Sequence, residues 1–478
     1  MTVSHGSHMR RPRLMGIPQT KPNSCGLTPT RYMTRLVICI CILVLGASCV
    51  FVRQTKEPTT SAPAADVLTI FLTGNTLGAL KPCGCSGGQL GGLDRRPAIF
   101  NSVPRERRLI VDTGSFVESD SEQDLIKFNV IVRAFDLLDY DLVNLSEQDV
   151  KIVGNLGLLD GIGSVLNVMS PYEPTDAELP AGFRKRLSPE GEAVSITVAT
   201  LNAESEQKIE QIGELFARQP DVRTVNILIL NDCDTATAAS IAKKVPVVDC
   251  LVCPSDSDEP RVIGDPNSRP LVFSVGRFGR YICRLRAVPC EDKLKLDFEA
   301  IPVAEDLRRE PLLVQLYNDY QQLVKEANLL EKYPRLPLSD GVEYVGSKSC
   351  EPCHGYEYEK WSGNAHAHAY ATLENFGSQY DPECVVCHVV GMRYESGFFS
   401  EQKTSHLRDV GCENCHGPAS EHIRTAGAAK PAEPTSRCLD CHTPEHSGNY
   451  AGNEQYYLEK IAHWREPNRT VDVKKEGN

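Results

Sequence analysis

The sequence predicts an α/β layered sandwich over residues 67–303 and, beyond it, a mainly helical, loop-rich domain over residues 341–470. Three observations predict this. In the first half, short apolar runs of strand length alternate with helix-length stretches, the pattern of a sheet with helices on its faces. The second half lacks that alternation and instead repeats the pentapeptide Cys-x-x-Cys-His four times. Of twelve histidines, only His5 and His8 lie outside the stretch from His354 to His463. A chain of 478 residues with 41% hydrophobic residues is long enough for two or three domains. Its net charge of −12, with no basic stripe, argues against a nucleic-acid partner.

Residues 1–35 are polar, contain proline and show no periodicity, so they read as an unstructured or mis-assigned extension. Gly6-Ser7-His8-Met9 is like a cloning scar, and Met33 reads as the natural start. Residues 36–52, LVICICILVLGASCVFV, form an apolar run with Arg31 and Arg35 before it and Arg53 after it. That is the pattern of a secretory signal, and the run is also barely long enough to span a bilayer. Leu-Gly-Ala-Ser-Cys49 loosely matches a lipoprotein processing site. Cleaved signal, retained anchor and lipid attachment remain open, and all three export the chain. The expected location is the periplasmic face, with membrane association by anchor or lipid.

A linker rich in Thr, Ser, Pro and Ala closes the segment 53–66. The strands expected after it are Val67–Thr73, Leu109–Asp112, Asp141–Leu145, Val194–Ala199, Val225–Leu230, Val248–Val252 and Leu271–Val275, with helices at Asp124–Leu138 and Thr235–Lys244. The phrases LTIFLTGNTLG, LIVDTGSF, LVNLSEQD and VDCLVCPS then make this segment resemble the calcineurin-like metallophosphoesterases of the 5′-nucleotidase type. That resemblance implies a two-metal site, but Asn75 and Leu77 stand where Asp and His belong. Ser115 replaces the bridging Asp, and Glu147 and Gln148 replace Asn and His. No histidine occurs between Met9 and Cys353, so the expectation is a retained fold with an abolished hydrolytic centre.

The same segment carries Cys83-Gly-Cys85 in a glycine-rich stretch followed by Arg95 and Arg96. Glycine allows close backbone approach there, and the arginines would favour thiolate. A redox or metal-binding loop and a plain structural turn are both open readings. Cys250 and Cys253 are followed by Pro254 rather than His, so with Cys233, Cys283 and Cys290 they read as buried thiols or disulfides. Residues 304–340 contain Leu312, Leu316, Tyr320, Leu323, Ala327 and Leu330 at helical spacing before Pro334, which predicts a docking helix and a hinge.

The pentapeptides are Cys350-Glu-Pro-Cys353-His354, Cys384-Val-Val-Cys387-His388, Cys412-Glu-Asn-Cys415-His416 and Cys438-Leu-Asp-Cys441-His442. Two thiols at this spacing capture the vinyl groups of one haem, and the adjoining imidazole ligates its iron. Four units imply four covalently bound c-type haems. Zinc is disfavoured because every pair ends in His and none has the separate half-site that a zinc ribbon needs. The remaining histidines, His366, His368, His406, His422, His446 and His463, are either second axial ligands or surface residues.

From Tyr344 to His463 the chain resembles the tetrahaem cytochrome c-554 family, in the phrases W-S-x-x-x-H-A, G-C-E-x-C-H-G-P and C-L-x-C-H-T-P. The resemblance implies that His366, His422 and His463 are distal ligands. It leaves the fourth iron to His446, to His406 or to an open position, since some members keep one haem five-coordinate. The expected architecture is thus a metallophosphoesterase-like sandwich joined to a multihaem cytochrome c domain. The expected function is electron transfer between redox partner proteins. The competing class is an enzyme, either an oxidoreductase acting on a small inorganic nitrogen or sulfur compound at an open iron, or a metal-dependent phosphoesterase.

Overall fold

A computed structural model describes residues 68–463, apart from positions 83–87, 173–181, 188–192, 203–205, 218–222, 232–234, 255–256, 291–292, 433, 435–436, 444–445 and 448. The apolar run 36–52 and the thiols Cys83, Cys85 and Cys233 lie outside the described residues. Among the described residues no helix is long and apolar enough to cross a membrane.

The strands in chain order are β1 (Leu68–Thr73), β2 (Arg108–Asp112), β3 (Leu142–Asn144), β4 (Val168–Met169), β5 (Gly182–Leu187) and β6 (Val194–Leu201). They continue as β7 (Arg223–Leu230), β8 (Cys250–Cys253), β9 (Arg261–Val262), β10 (Leu271–Ser274), β11 (Tyr281–Cys290) and β12 (Lys293–Pro302). They form two mixed sheets, ordered β12-β11-β1-β2-β3-β4 and β5-β6-β7-β8-β10-β9. β1 runs parallel to β2, with Thr73 beside Asp112, and antiparallel to β11. β6, β7, β8 and β10 are parallel neighbours.

Alternation along the strands makes this a sandwich. Leu68, Ile70 and Leu72 of β1 share one apolar core with Ile196, Val198, Ile227 and Phe273 of the other sheet. The opposite face of β1 sends Phe71 into a second core with Phe128, Phe135 and Leu316 from helices. A third core on the outer face of the second sheet joins Leu228 and Leu251 to Ile209, Ile212 and Ile241. Sheets buried on both faces give the near-continuous apolar runs seen in the sequence. Each such buried side chain contributes about 1.5–3 kcal/mol. Cys250, Cys253 and Cys283 are buried within these layers.

The helices that matter to the site are α1 (Glu122–Leu137), α2 (Glu147–Leu156) and α3 (Pro311–Glu326). Ser121 caps α1 by accepting from the Asp124 amide, and Ser146 and Asp149 form a capping box on α2. α3 packs on α1 and buries Leu313, Leu316, Tyr320, Gln321 and Val324. Its apolar face is therefore rotated from the expected stripe: Leu312 and Leu323 are exposed. Past residue 340 the chain is short helices and turns around a small core that includes Tyr344, Tyr370, Val385, Val389, Phe398 and Leu407.

Candidate haem-binding site

Each pentapeptide is one helical turn, which puts Cys, Cys and His on a common face because positions i, i+3 and i+4 adjoin. The first lies between the turn Ser347–Ser349 and α4 (Gly355–Ser362); the second forms most of α5 (Pro382–His388). The third is α6 (Cys412–His416), and the fourth starts in the turn Arg437–Asp440. In the first and fourth, the histidine amide donates to the first cysteine's carbonyl, at 2.9 Å for His354 and 2.8 Å for His442.

Beside the second, third and fourth of them lies a cavity of about 3580 Å³, lined by Cys384, Cys387, His388, His416, Cys441 and His442 among others. An ordinary small-molecule pocket holds roughly 300–1,000 Å³. The hollow is therefore of a size for several cofactors, and a domain with so small an apolar core needs such groups to fill it. The motifs also come together in pairs. Cys350 is hydrogen-bonded to Cys412, and Cys387 to Cys441.

The histidines are arranged across from one another. Ring centres are 6.0 Å apart for His354 and His422, 6.2 Å for His366 and His442, and 6.3 Å for His416 and His463. A metal between two imidazoles needs two bonds of about 2 Å plus the distance from each nitrogen to its ring centre, which matches this spacing. Backbone carbonyls fix several rings: Nδ1 of His422 donates to Ala429 at 2.7 Å, of His388 to Ala369 at 2.6 Å, and of His463 to Ile461 at 3.0 Å. His442 Nδ1 lies 2.8 Å from Ser447 Oγ, and Tyr450 stacks on the ring. A donating Nδ1 leaves the Nε2 lone pair for a metal. Burial lowers the pKa of His366, His388 and His442, keeping them neutral as ligation requires.

The two remaining candidates differ in position. His446 is on an exposed turn, 2.9 Å from Thr443 Oγ1, within electrostatic range of His388. His406 borders Gly346 and Glu413 instead.

Glu413 is a site residue the sequence reading missed. It occupies an inner position of the third motif, yet its buried carboxylate accepts from the amides of Val345, Gly346 and Ala419 at 2.7–3.1 Å. It thereby ties the strand of chain entering the first motif to the third. Burial pushes its pKa up. Asp381 was also missed, although Asp-Pro before an apolar turn is a helix-start signal. It caps α5 through the Glu383 amide and accepts from Gln123, Tyr320 and Gln321 of α1 and α3. Lys127 of α1 pairs with Glu383.

In the sandwich, the substituted positions lie at the ends of β1 and β2. Asn75, Leu77 and Ser115 have left-handed backbone, with φ of 48°, 50° and 63°. Asn75 Nδ2 donates to the Gly276 carbonyl. Glu147 pairs with Lys151 on the exposed side of α2, whereas Asn144, unremarked in the sequence, bonds Asn231 at 2.8 Å. Among the described residues no three His, Cys, Asp or Glu side chains gather as a metal-binding group. Cys83 and Cys85 lie outside the described residues, and the two arginines after them have partners among the described ones. Arg95 donates to the carbonyls of Gln89 and Gly91, and Arg96 to Tyr140.

Paired thiols each followed by imidazole, three of the four sets beside one hollow, are the arrangement of c-type haem sites. The comparisons agree: residues 349–417 match the family described as cytochrome c554 and c-prime, so the C-terminal region carries a cytochrome c554 domain. Over 96 residues the chain is 32% identical to cytochrome c-554 of Nitrosomonas europaea, covering 17% of this chain and 41% of that relative. Less than half of that relative's length is therefore spanned.

Solved structures similar to the chain include the sulfate thiohydrolase SoxB of Thermus thermophilus in complex with glycerol, at 12% identity and TM-score 0.42 over 55% of this chain and 62% of that one. A 5′-nucleotidase precursor, also from Thermus thermophilus, gives 16% and 0.40 over 65% and 68%. The NAD nucleotidase of Haemophilus influenzae gives 14% and 0.41 over 60% and 64%.

Proposed function

We propose that this chain is an exported tetrahaem c-type cytochrome that transfers electrons between redox partner proteins, with a sandwich domain that no longer hydrolyses phosphate esters. The observation that carries this reading is the set of three histidine pairs with ring centres 6.0–6.3 Å apart. Bound there, c-type haem supplies one-electron chemistry, and two imidazoles per iron suit it to electron transfer rather than to ligand binding. The proximal residues are His354, His388, His416 and His442, attached beside Cys350, Cys353, Cys384, Cys387, Cys412, Cys415, Cys438 and Cys441. His422, His463 and His366 face His354, His416 and His442. His446 is the first candidate for the fourth distal position. Cys350 lies beside Cys412 and Cys387 beside Cys441, so neighbouring motifs stand side by side, which supports short transfer distances. Export and anchoring rest on the apolar run 36–52 and on the covalent haem chemistry.

The test is haem counting and spin state on purified holoprotein. Pyridine haemochrome assay and intact mass under denaturing conditions should both give four haems, and at least three should be low-spin. His366→Ala, His422→Ala and His463→Ala should each convert one haem to a high-spin or ligand-binding form. A count of three or fewer, or variants that leave every spectrum unchanged, would overturn the assignment. Fractionation of cells expressing the chain should place it in the membrane or periplasm.

A further inference from the structure

Lys81 follows β1 by a few residues and is half-buried, yet among the described residues no anion pairs with it. Its ammonium stands 4.9 Å from the ring centre of Tyr317 and 5.8 Å from that of Phe376, and among the described residues these rings are its contacts. Its charged neighbours are Arg309, Asp94 and Arg95. Asp94 is already taken by Arg309, at 2.5 Å. Arg95 donates to backbone carbonyls, which carry no charge. The local balance is therefore positive. Lys127, on the same wall, differs because Glu383 neutralises it.

Lys81 lines the large cavity together with Cys384, Cys387 and His388, and lies within electrostatic range of Cys384. The ammonium comes from the sandwich domain, while the motif it approaches belongs to the cytochrome domain. Aromatic faces hold a cation without satisfying its charge. A desolvated ammonium beside two guanidiniums is stabilised only when an anion joins it.

We propose that Lys81, backed by Arg309 and Arg95, binds an anionic oxygen group in the cavity beside the second Cys-x-x-Cys-His motif. The sandwich domain thus contributes a binding wall to the redox domain. Two sources carry that chemistry: a carboxylate of the haem held by the second motif, or a dissolved inorganic oxyanion. The inference rests on the haem reading of that motif.

The experiment compares purified wild-type holoprotein with Lys81→Met and Lys81→Arg. Haem content is measured first by pyridine haemochrome. Loss of haem from the wild type would defeat the proposed function, whereas equal content in all three shows that the variants fold. Midpoint potentials are then measured by spectroelectrochemistry, and the oxidised proteins are titrated with nitrite and with sulfite at constant ionic strength. A dissolved oxyanion is the ligand if the wild type gives a saturable spectral change that weakens at least tenfold in Lys81→Met and persists in Lys81→Arg. The haem carboxylate is the ligand if no titration responds but Lys81→Met lowers the potential of one haem and Lys81→Arg does not. The proposal is overturned if Lys81→Met matches the wild type in every potential and in every titration.

Discussion

Glu413 shows why single residues were unequally legible. Cysteine and histidine are visible because the attachment chemistry admits no other residue types at those positions. A glutamate at a variable position of the same motif carries no such signal, and only the fold brings Val345, Gly346 and Ala419 to its carboxylate. Glu413→Ala leaves three buried amides without an acceptor, each costing about 1–3 kcal/mol. Chemical denaturation should show a loss of at least about 3 kcal/mol, with Glu413→Gln losing less because one carbonyl oxygen remains. Asp112 behaves in the opposite way. It closes the β2 run of the phrase LIVDTGSF and is fully buried, accepting from Thr73 at 2.6 Å and from the Gly114 amide at 2.9 Å. Burial pushes its pKa from 3.8 up to about 6, against the pull of Thr73 and Arg96. The folded chain therefore holds this proton more tightly than the unfolded chain does. The stability it contributes is full below pH 3.8 and lost as pH rises through about 6. Asp112→Asn removes that titration, so its stability relative to wild type should improve by roughly 2–3 kcal/mol between about pH 4 and pH 7. Thermal melts of both proteins across that range check the sign.

At the scale of elements, the interior strands were readable and the edge hairpin was not. β6 is buried along its whole length and β7 from Val225 onward, because both faces are covered, and their Val, Ile and Leu residues mark them as strands. β11 and β12 carry Arg284, Arg286, Lys295, Asp297 and Glu299, and their register pairs Arg284 with Glu299 and Arg286 with Asp297 across the hairpin. Charged residues alternating with apolar ones are what an edge pair needs, and a search for solid apolar runs passes over them. The rotation of α3 has a similar origin, since Leu312 and Leu323 fit helical spacing as well as Leu313 and Val324 do. Only the neighbour α1 decides which stripe is buried. One contact of long reach belongs to α5. Its cap Asp381 is held by Gln123 at 2.8 Å, Tyr320 at 3.0 Å and Gln321 at 3.2 Å. Asp381→Ala removes a cap and three partners at once, and should destabilise the chain by about 2 kcal/mol or more. Limited proteolysis should then cut between residues 304 and 382 faster than in the wild type, with the haem count unchanged.

For the whole molecule, the division into a sandwich and a cytochrome domain was legible from composition and motif placement, because alternating elements and clustered histidines occupy separate halves. The joining of the halves was not legible, since it is made by side chains such as Gln123, Lys127 and Tyr320 that have no motif of their own. With Asn75, Leu77 and Ser115 at the sheet edge, the protein should show no manganese- or zinc-dependent hydrolysis of nucleotides or of a generic phosphate ester above the rate in protein-free buffer with the same metal. Turnover proportional to added metal would contradict the reading of that edge. The grip on Asp381 also bears on how the protein is made. Both thiols of the second motif sit partly buried on a helix that α1 and α3 hold in place, whereas Cys353 of the first motif is exposed. Cys384 and Cys387 nevertheless line the large cavity. The sandwich leaves the ribosome first and can fold first, so its grip on Asp381 can set the helix without closing the way to the second motif.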